Sequence, residues 1–95
     1  MSYIIDLDEQ RIATAREIAD ALPQRMKDVL ARVARGQDRR AIARSLHVEL
    51  DTVYRYLTEI HVRFDNPSTA SIIAHLAAAE ERFRASKRKG ILTHF

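Results

Sequence analysis

The chain has 95 residues, enough for one domain with a modest core, and only two are Gly and two Pro, a composition that favours helices. It contains no Cys, which excludes a disulfide framework, a thiol nucleophile and a cysteine-based zinc site. The net charge of +3 is unevenly spread, because residues 1–22 carry five acids and two bases whereas residues 23–95 carry fourteen bases and eight acids.

The first predicted helix covers residues 7–21. Asp6 or Asp8 can be its N-cap, since a carboxylate accepts hydrogen bonds from the free N–H groups of a first turn. Its apolar positions share one face: Ile12, Ala15, Ile18, Ala19 and Leu22. The first ten residues lack a basic start and a long apolar run, so we expect no signal peptide and a cytoplasmic protein. No apolar run approaches the roughly 18 residues of a membrane span, so no membrane partner is expected.

The second predicted helix begins after a break at Pro23, which suits the first turn of a helix. It should end at Gly36, because glycine readily adopts the left-handed conformation that closes a helix. Its apolar positions are Met26, Val29, Leu30 and Val33.

Residues 38–64 have the pattern of a helix-turn-helix. A third helix offers Ile42, Ala43 and Leu46 to a core, and residues 47–49 form a tight connector with Val48 directed inward. The fourth helix returns with Val53, Leu57, Ile60 and Phe64, whose spacing of four, three and four residues is one stripe of a 3.6-residue period. Two helices that share a core across so short a turn are typical of a DNA-binding motif.

The opposite face of the fourth helix is predicted to meet DNA. At about 100° per residue, Asp51, Arg55 and Thr58 fall opposite the apolar stripe, with Tyr54 on the flank. The N-terminal half of a recognition helix reaches base edges, where Arg55 could bind O6 and N7 of guanine and Thr58 a base edge or a thymine methyl. Tyr54 and Thr52 are better placed for phosphate oxygens.

A stop and a new cap follow at Asn66-Pro67-Ser68. The fifth predicted helix covers residues 67–87, with apolar positions at Ile72, Ile73, Leu76, Ala79 and Phe83. Residues 88–95 then form a basic tail.

From residue 22 to about residue 91 the chain resembles the LuxR-type (GerE-like) DNA-binding domain. The matching residues are Leu22, Arg25, Val29, Leu30, Ala34, Gly36, Ile42, Ala43, Leu46, Val48, Thr52, Val53, Leu57, Ile60, Phe64, Gly90 and Ile91. The resemblance implies an all-α, four-helix helix-turn-helix domain (residues 23–87) with the recognition helix third. One extra N-terminal helix (residues 1–22) precedes it, and the basic tail (residues 88–95) follows.

The resemblance also implies a function and a site. The chain would be a sequence-specific transcriptional regulator of double-stranded DNA, with no cofactor. The base-reading positions correspond to Tyr54, Arg55 and Thr58, and the backbone-anchoring positions to Arg39 and Arg40. Further backbone contacts are predicted at Arg44 and Arg63, two of the arginines that crowd the motif, and at Thr52. The family's last helix commonly pairs, which suggests a homodimer through Ile72, Ile73, Leu76 and Ala79; the N-terminal helix is the second choice.

Two other functions remain open. One is the promoter-recognition domain of a sigma factor, which shares the Leu-Pro opening, although the fifth helix argues against it. The other is a protein-interaction module that antagonises a larger regulator, suggested by Tyr54, Tyr56 and the acids of the fourth helix. RNA polymerase or another regulator are further candidate partners. No nucleophile, base and orienting group can be assembled and the four His lack metal-ligand spacing, so neither an enzyme nor a metal site is expected.

Overall fold

A computed structural model describes residues 6–92 of the chain. It contains five helices: α1 Glu9–Ala21, α2 Gln24–Ala34, α3 Arg39–Leu46, α4 Leu50–Phe64 and α5 Thr69–Leu92. No strand occurs among these residues, which confirms the all-α prediction. In this part of the chain no helix has the combination of length and apolar character that crossing a membrane requires.

Side-chain caps set the starts of three helices. The Asp8 carboxylate accepts hydrogen bonds from the backbone N–H of Gln10 (2.8 Å) and of Arg11 (3.2 Å), so Asp8 rather than Asp6 begins α1. Asp38 caps α3 in the same way. The Ser68 hydroxyl accepts from the backbone N–H of Ser71 (3.1 Å), which places the predicted new cap just before α5.

Left-handed residues end three of the helices. Gly36 (φ 84°) follows α2, as predicted. His47 (φ 57°) ends α3 and Asp65 (φ 48°) ends α4, although neither is glycine. His47 opens the three-residue connector between α3 and α4, so the predicted turn lies where the sequence placed it.

The core joins α2, α3 and α4. All seven apolar positions predicted for α3 and α4 are buried: Ile42, Ala43, Leu46, Val53, Leu57, Ile60 and Phe64. Leu22, Val29 and Leu30 and, from α5, Ile72 are buried in the same cluster, and Val48 packs against it from the turn. The two helices of the motif are therefore held by one continuous apolar contact, which fixes which side of α4 faces outward.

The N-terminal helix packs against α5. Ile12 and Ala15 form a small cluster with Ala79. At the start of α1, the backbone N–H of Asp8 donates to Nε2 of the buried His75 (3.0 Å). Nδ1 of His75 lies 2.6 Å from the carbonyl oxygen of Ser71, so the proton resides on Nδ1. These hydrogen bonds join α1 to α5 through the imidazole of His75.

Charged side chains add to the contact between α1 and α5 at the surface. Both carboxylate oxygens of Glu9 accept from the guanidinium of Arg82, at 2.5 and 2.9 Å. This charged hydrogen bond lowers the pKa of Glu9 below its ordinary value of 4.5. The guanidinium of Arg16 lies over the ring of Phe83, 3.7 Å from its centroid.

The packing of α1 corrects part of the predicted dimer surface. Ile72 is 1% exposed and Ala79 is 7% exposed within a single chain. Ile72 is buried in the main core and Ala79 against Ile12 and Ala15 of α1, so neither side chain is available to a second copy of this fold. Ile73 and Leu76 remain half-buried. The predicted contact between two chains would therefore be limited to Ile73 and Leu76.

The last helix is longer than predicted. α5 continues past Lys87 through Gly90 to Leu92, so most of the predicted basic tail is helical. Arg and Lys are good helix formers, and one Gly costs only about 1 kcal/mol relative to Ala. The other predicted tail residues, 93–95, and the beginning of the N-terminal extension, 1–5, lie outside the described residues.

Candidate nucleic-acid interface

The outward face of α4 brings the three predicted base-reading residues together. Tyr54, Arg55 and Thr58 are exposed and, with Asp51, line a shallow surface depression of about 420 Å³. Tyr54 is 51% exposed, which is high for a large aromatic side chain. The hydroxyl of Thr58 donates to the carbonyl oxygen of Tyr54 (3.0 Å), so it offers only lone pairs and its methyl group to a ligand until it rotates.

Val62 extends this face by one more turn and was missed by the sequence analysis. It is 65% exposed, the highest among the large exposed apolar side chains of the described residues. Seven residues separate it from Arg55, which returns to nearly the same side of a helix. This seven-residue spacing could have placed Val62 on the outward face from the sequence alone. An exposed valine there can make apolar contact with a sugar or a thymine methyl group.

The predicted phosphate-contacting residues differ in their solvent exposure and in whether an acidic side chain already pairs with them. Arg40 and Arg44 of α3 are exposed, whereas Arg39 and Thr52 are partly buried. Arg63 is exposed, but its Nε lies 3.0 Å from a carboxylate oxygen of Glu59 one turn earlier. α3 contains three arginines and no acid, so this short helix is a concentrated positive charge packed against α4.

Two arginines from outside the motif bind the C-terminal ends of its helices. Arg25 of α2 donates from Nη1 to the carbonyl oxygen of Leu46, the last residue of α3 (3.0 Å). Arg11 of α1 donates to the carbonyl oxygens of Phe64 (3.1 Å) and Asp65 (2.9 Å), where α4 ends. The last carbonyls of a helix have no partner within the helix and carry partial negative charge, so a guanidinium satisfies both needs.

These arginines give α1 and α2 a role in positioning the candidate interface. In the sequence, Arg25 matches a family position to which no function was assigned, and Arg11 belongs to no predicted site. No local pattern could have found them, because 21 and 53 residues separate Arg25 and Arg11 from the carbonyls they bind. Both contacts depend on the tertiary fold.

Within residues 6–92, no three or more His, Asp or Glu side chains come together as a metal site would require. Comparison with known proteins adds no relative. No protein-family model matches the chain, and neither a curated protein nor a solved structure matches it. The LuxR-type resemblance therefore stays a prediction from the sequence.

Proposed function

We propose that this chain is a sequence-specific regulator of transcription that places α4 in the major groove of double-stranded DNA. The observation that carries the proposal is the division of α4 into two faces. Val53, Leu57 and Ile60 hold the helix to the core, while Tyr54, Arg55 and Thr58 stand outward in its first turns. The major groove admits an α-helix, and the N-terminal half of a recognition helix is the part that reaches base edges.

Each outward residue has a specific role in this proposal. Arg55 donates two hydrogen bonds to a guanine, and Thr58 accepts from a base edge or contacts a thymine methyl. Tyr54, on the flank, contacts a base or the adjacent backbone. The residues that bind phosphate are Arg39, Arg40, Arg44 and Thr52, with Arg63 contributing once its pair with Glu59 opens.

Two chains would be needed for a useful site. One recognition helix covers only about four to five base pairs, too few for a large specificity ratio in a genome. A two-fold operator with half-sites about one helical turn apart places one α4 in each major groove. With Ile72 and Ala79 buried, the DNA itself is the main element that holds the two chains together.

A second function is favoured by one observation. Asp51 shares the exposed surface with Tyr54 and Arg55, and a carboxylate near phosphates costs affinity unless it accepts from a cytosine amino group. A mixed acidic, basic and aromatic face is also a composition that suits a protein partner. In this alternative the α4 face binds and blocks a larger regulator.

Selection from a random duplex pool tests the proposal. The 95-residue chain is incubated with labelled duplexes of about 30 base pairs that contain a randomised centre. Bound duplexes are recovered through several rounds, and their sequences are determined. We expect a two-fold motif. The Arg55→Ala variant, selected in parallel, should lose one conserved position in each half. Recovery of no bound duplex at low salt would contradict the proposal and favour the protein-binding alternative.

A further inference from the structure

A second concave surface lies between α1, α2 and α5 and shares no residue with the outward face of α4. This α1–α2–α5 groove has a volume of about 900 Å³. Its floor is apolar and rich in alanine, formed by Ala19, Leu22, Leu30, Ala31, Ala34, Ile73, Leu76 and Ala77. Ala31, Ala34 and Ala77 are exposed, so part of this apolar floor is open to solvent.

The charged rim of the groove has a net positive charge. It contains Arg16, Asp20, Lys27, Arg35, Glu80 and Arg84. Glu80 is already flanked by the guanidinium groups of Arg16 (3.7 Å) and Arg84 (3.6 Å). On the α2 edge the rim residues are both basic, Lys27 and Arg35, eight residues apart and hence separated by about 12 Å along the helix.

We propose that the α1–α2–α5 groove binds an amphipathic helix of a partner protein whose apolar stripe is bordered by acidic residues. The stripe would pack on the alanine-rich floor with anchors at i, i+3, i+4 and i+7, the usual pattern of a helix bound in a groove. Acidic residues seven or eight positions apart on the border would face Lys27 and Arg35.

The lining favours a helix over a small molecule. Ligand pockets contain a few convergent polar groups that fix orientation. Here every charged lining residue lies on the rim and none is buried. Alanines at Ala31, Ala34 and Ala77 instead provide a smooth surface that a helix backbone can approach closely.

The charge argues against a second copy of this chain as the occupant. Two such grooves placed face to face would oppose two net positive rims. The large exposed apolar side chains among the described residues, Leu7, Tyr54, Val62 and Phe83, belong to three separate helices or their ends and form no stripe that could enter the groove. An acidic partner resolves the charge, whereas self-association does not.

The test uses two designed peptides of about 18 residues and the 95-residue chain. One is a helix with a leucine stripe bordered by Glu, and the other has Lys in place of every Glu. Binding is followed by fluorescence anisotropy of the labelled peptides. We expect the Glu peptide to bind at least about tenfold more tightly than the Lys peptide, because reversal of several border charges exceeds 1.4 kcal/mol.

Matched variants locate the binding site. Ala77→Gln fills the groove, while Ala70→Gln changes an exposed alanine of the same helix outside it. Arg35→Gln removes a rim charge and Arg32→Gln a charge of α2 that does not line the groove. We expect Ala77→Gln to abolish measurable binding and Arg35→Gln to weaken it about two- to fivefold, the effect of one rim charge. Both controls should bind normally, and circular dichroism should show that all four variants are folded.

Three results would overturn the inference. They are equal binding of the two peptides, undiminished binding by folded Ala77→Gln, and a protein that sediments as a dimer which Ala77→Gln converts to a monomer. The last would identify the groove as a self-contact. The inference does not rest on DNA binding, so Arg55→Ala should bind the Glu peptide as the unmodified chain does.

Discussion

At the scale of single residues, Arg55 and Arg40 should contribute to DNA binding in different ways. Arg55 stands on the outward face of α4, whereas Arg40 is an exposed residue in the first turn of α3. We expect Arg55→Ala to cost about 1–3 kcal/mol on the preferred duplex and to relax base preference at one position. Arg40→Ala should weaken binding to all duplexes about equally and reduce the salt slope by about one. Competition binding with a set of single-base operator variants measures both effects.

The comparison between these two variants decides the assignment. Were both to lose affinity with the order of preferred bases unchanged, Arg55 would be a phosphate contact and the base-reading role would pass to its neighbours on α4. Tyr54 is next to Arg55 on this face, so Tyr54→Phe would then be the variant that tests which neighbour reads the base.

The capping arginine Arg11 should matter for stability rather than for chemistry. Its guanidinium binds two carbonyl oxygens at the end of α4. Arg11→Gln leaves both carbonyls with weaker partners, and we expect the free energy of unfolding to fall by about 1–2 kcal/mol. In a domain of this size that lowers Tm by roughly 4–15 °C. Arg44→Gln, an exposed change within the motif, should alter the free energy of unfolding by less than about 0.5 kcal/mol. Urea titrations of both variants and of the unmodified chain measure these differences. Equal effects from the two variants would show that Arg11 is not a specific cap.

At the scale of helices, the periodic sequence pattern predicted which residues α3 and α4 bury, but it did not predict which helices pack against each other. Stripes of period 3.6 located α3 and α4 and every residue they bury, because periodicity records which side of a helix avoids water. The same stripe on α5 identified Ile72 and Ala79 as apolar but could not say what covers them. Ala79 is covered by α1 and Ile72 lies in the main core, and both contacts join residues too far apart in sequence for a local pattern to show. The left-handed conformation of His47 and Asp65 was not predicted for another reason: residues other than glycine rarely adopt it.

Burial of Ile12 measures how strongly α1 belongs to the domain. Ile12 is buried against Ala79 in the small cluster between α1 and α5. Ile12→Ala should lower the free energy of unfolding by about 2 kcal/mol, the lower end for such a truncation because the cluster is at the edge of the core. Ala13→Ser, an exposed change on the next residue, should be nearly neutral. Unaltered stability in the Ile12 variant would mean that α1 contributes little to the folded domain.

At the scale of the whole molecule, the excess of bases over acids in residues 23–95 should make DNA binding strongly dependent on salt. Each phosphate that a base neutralises releases condensed counterions. About four to eight phosphate contacts in a two-chain complex predict a slope of roughly −4 to −7 for log affinity against log salt concentration. Anisotropy titrations of the selected duplex between about 50 and 300 mM KCl, roughly a sixfold range of salt, measure this slope. A slope near zero is incompatible with the proposed interface.

The contact between α1 and α5 should also make the stability of the whole chain dependent on pH. Arg82 lowers the pKa of Glu9 in the folded protein, so the ionised pair stabilises the fold above the ordinary pKa of 4.5. That stabilisation should disappear as pH falls through the lowered value, because the folded state must then also bind the proton. We therefore expect the difference in Tm between the unmodified chain and Glu9→Gln to be constant above about pH 5 and to shrink in more acidic buffer. Glu17→Gln, an exposed change on the same helix, provides the background behaviour of a surface carboxylate. A difference that persisted unchanged at pH 2 could not come from the charge of Glu9, and the ion pair would then be a surface contact without thermodynamic weight.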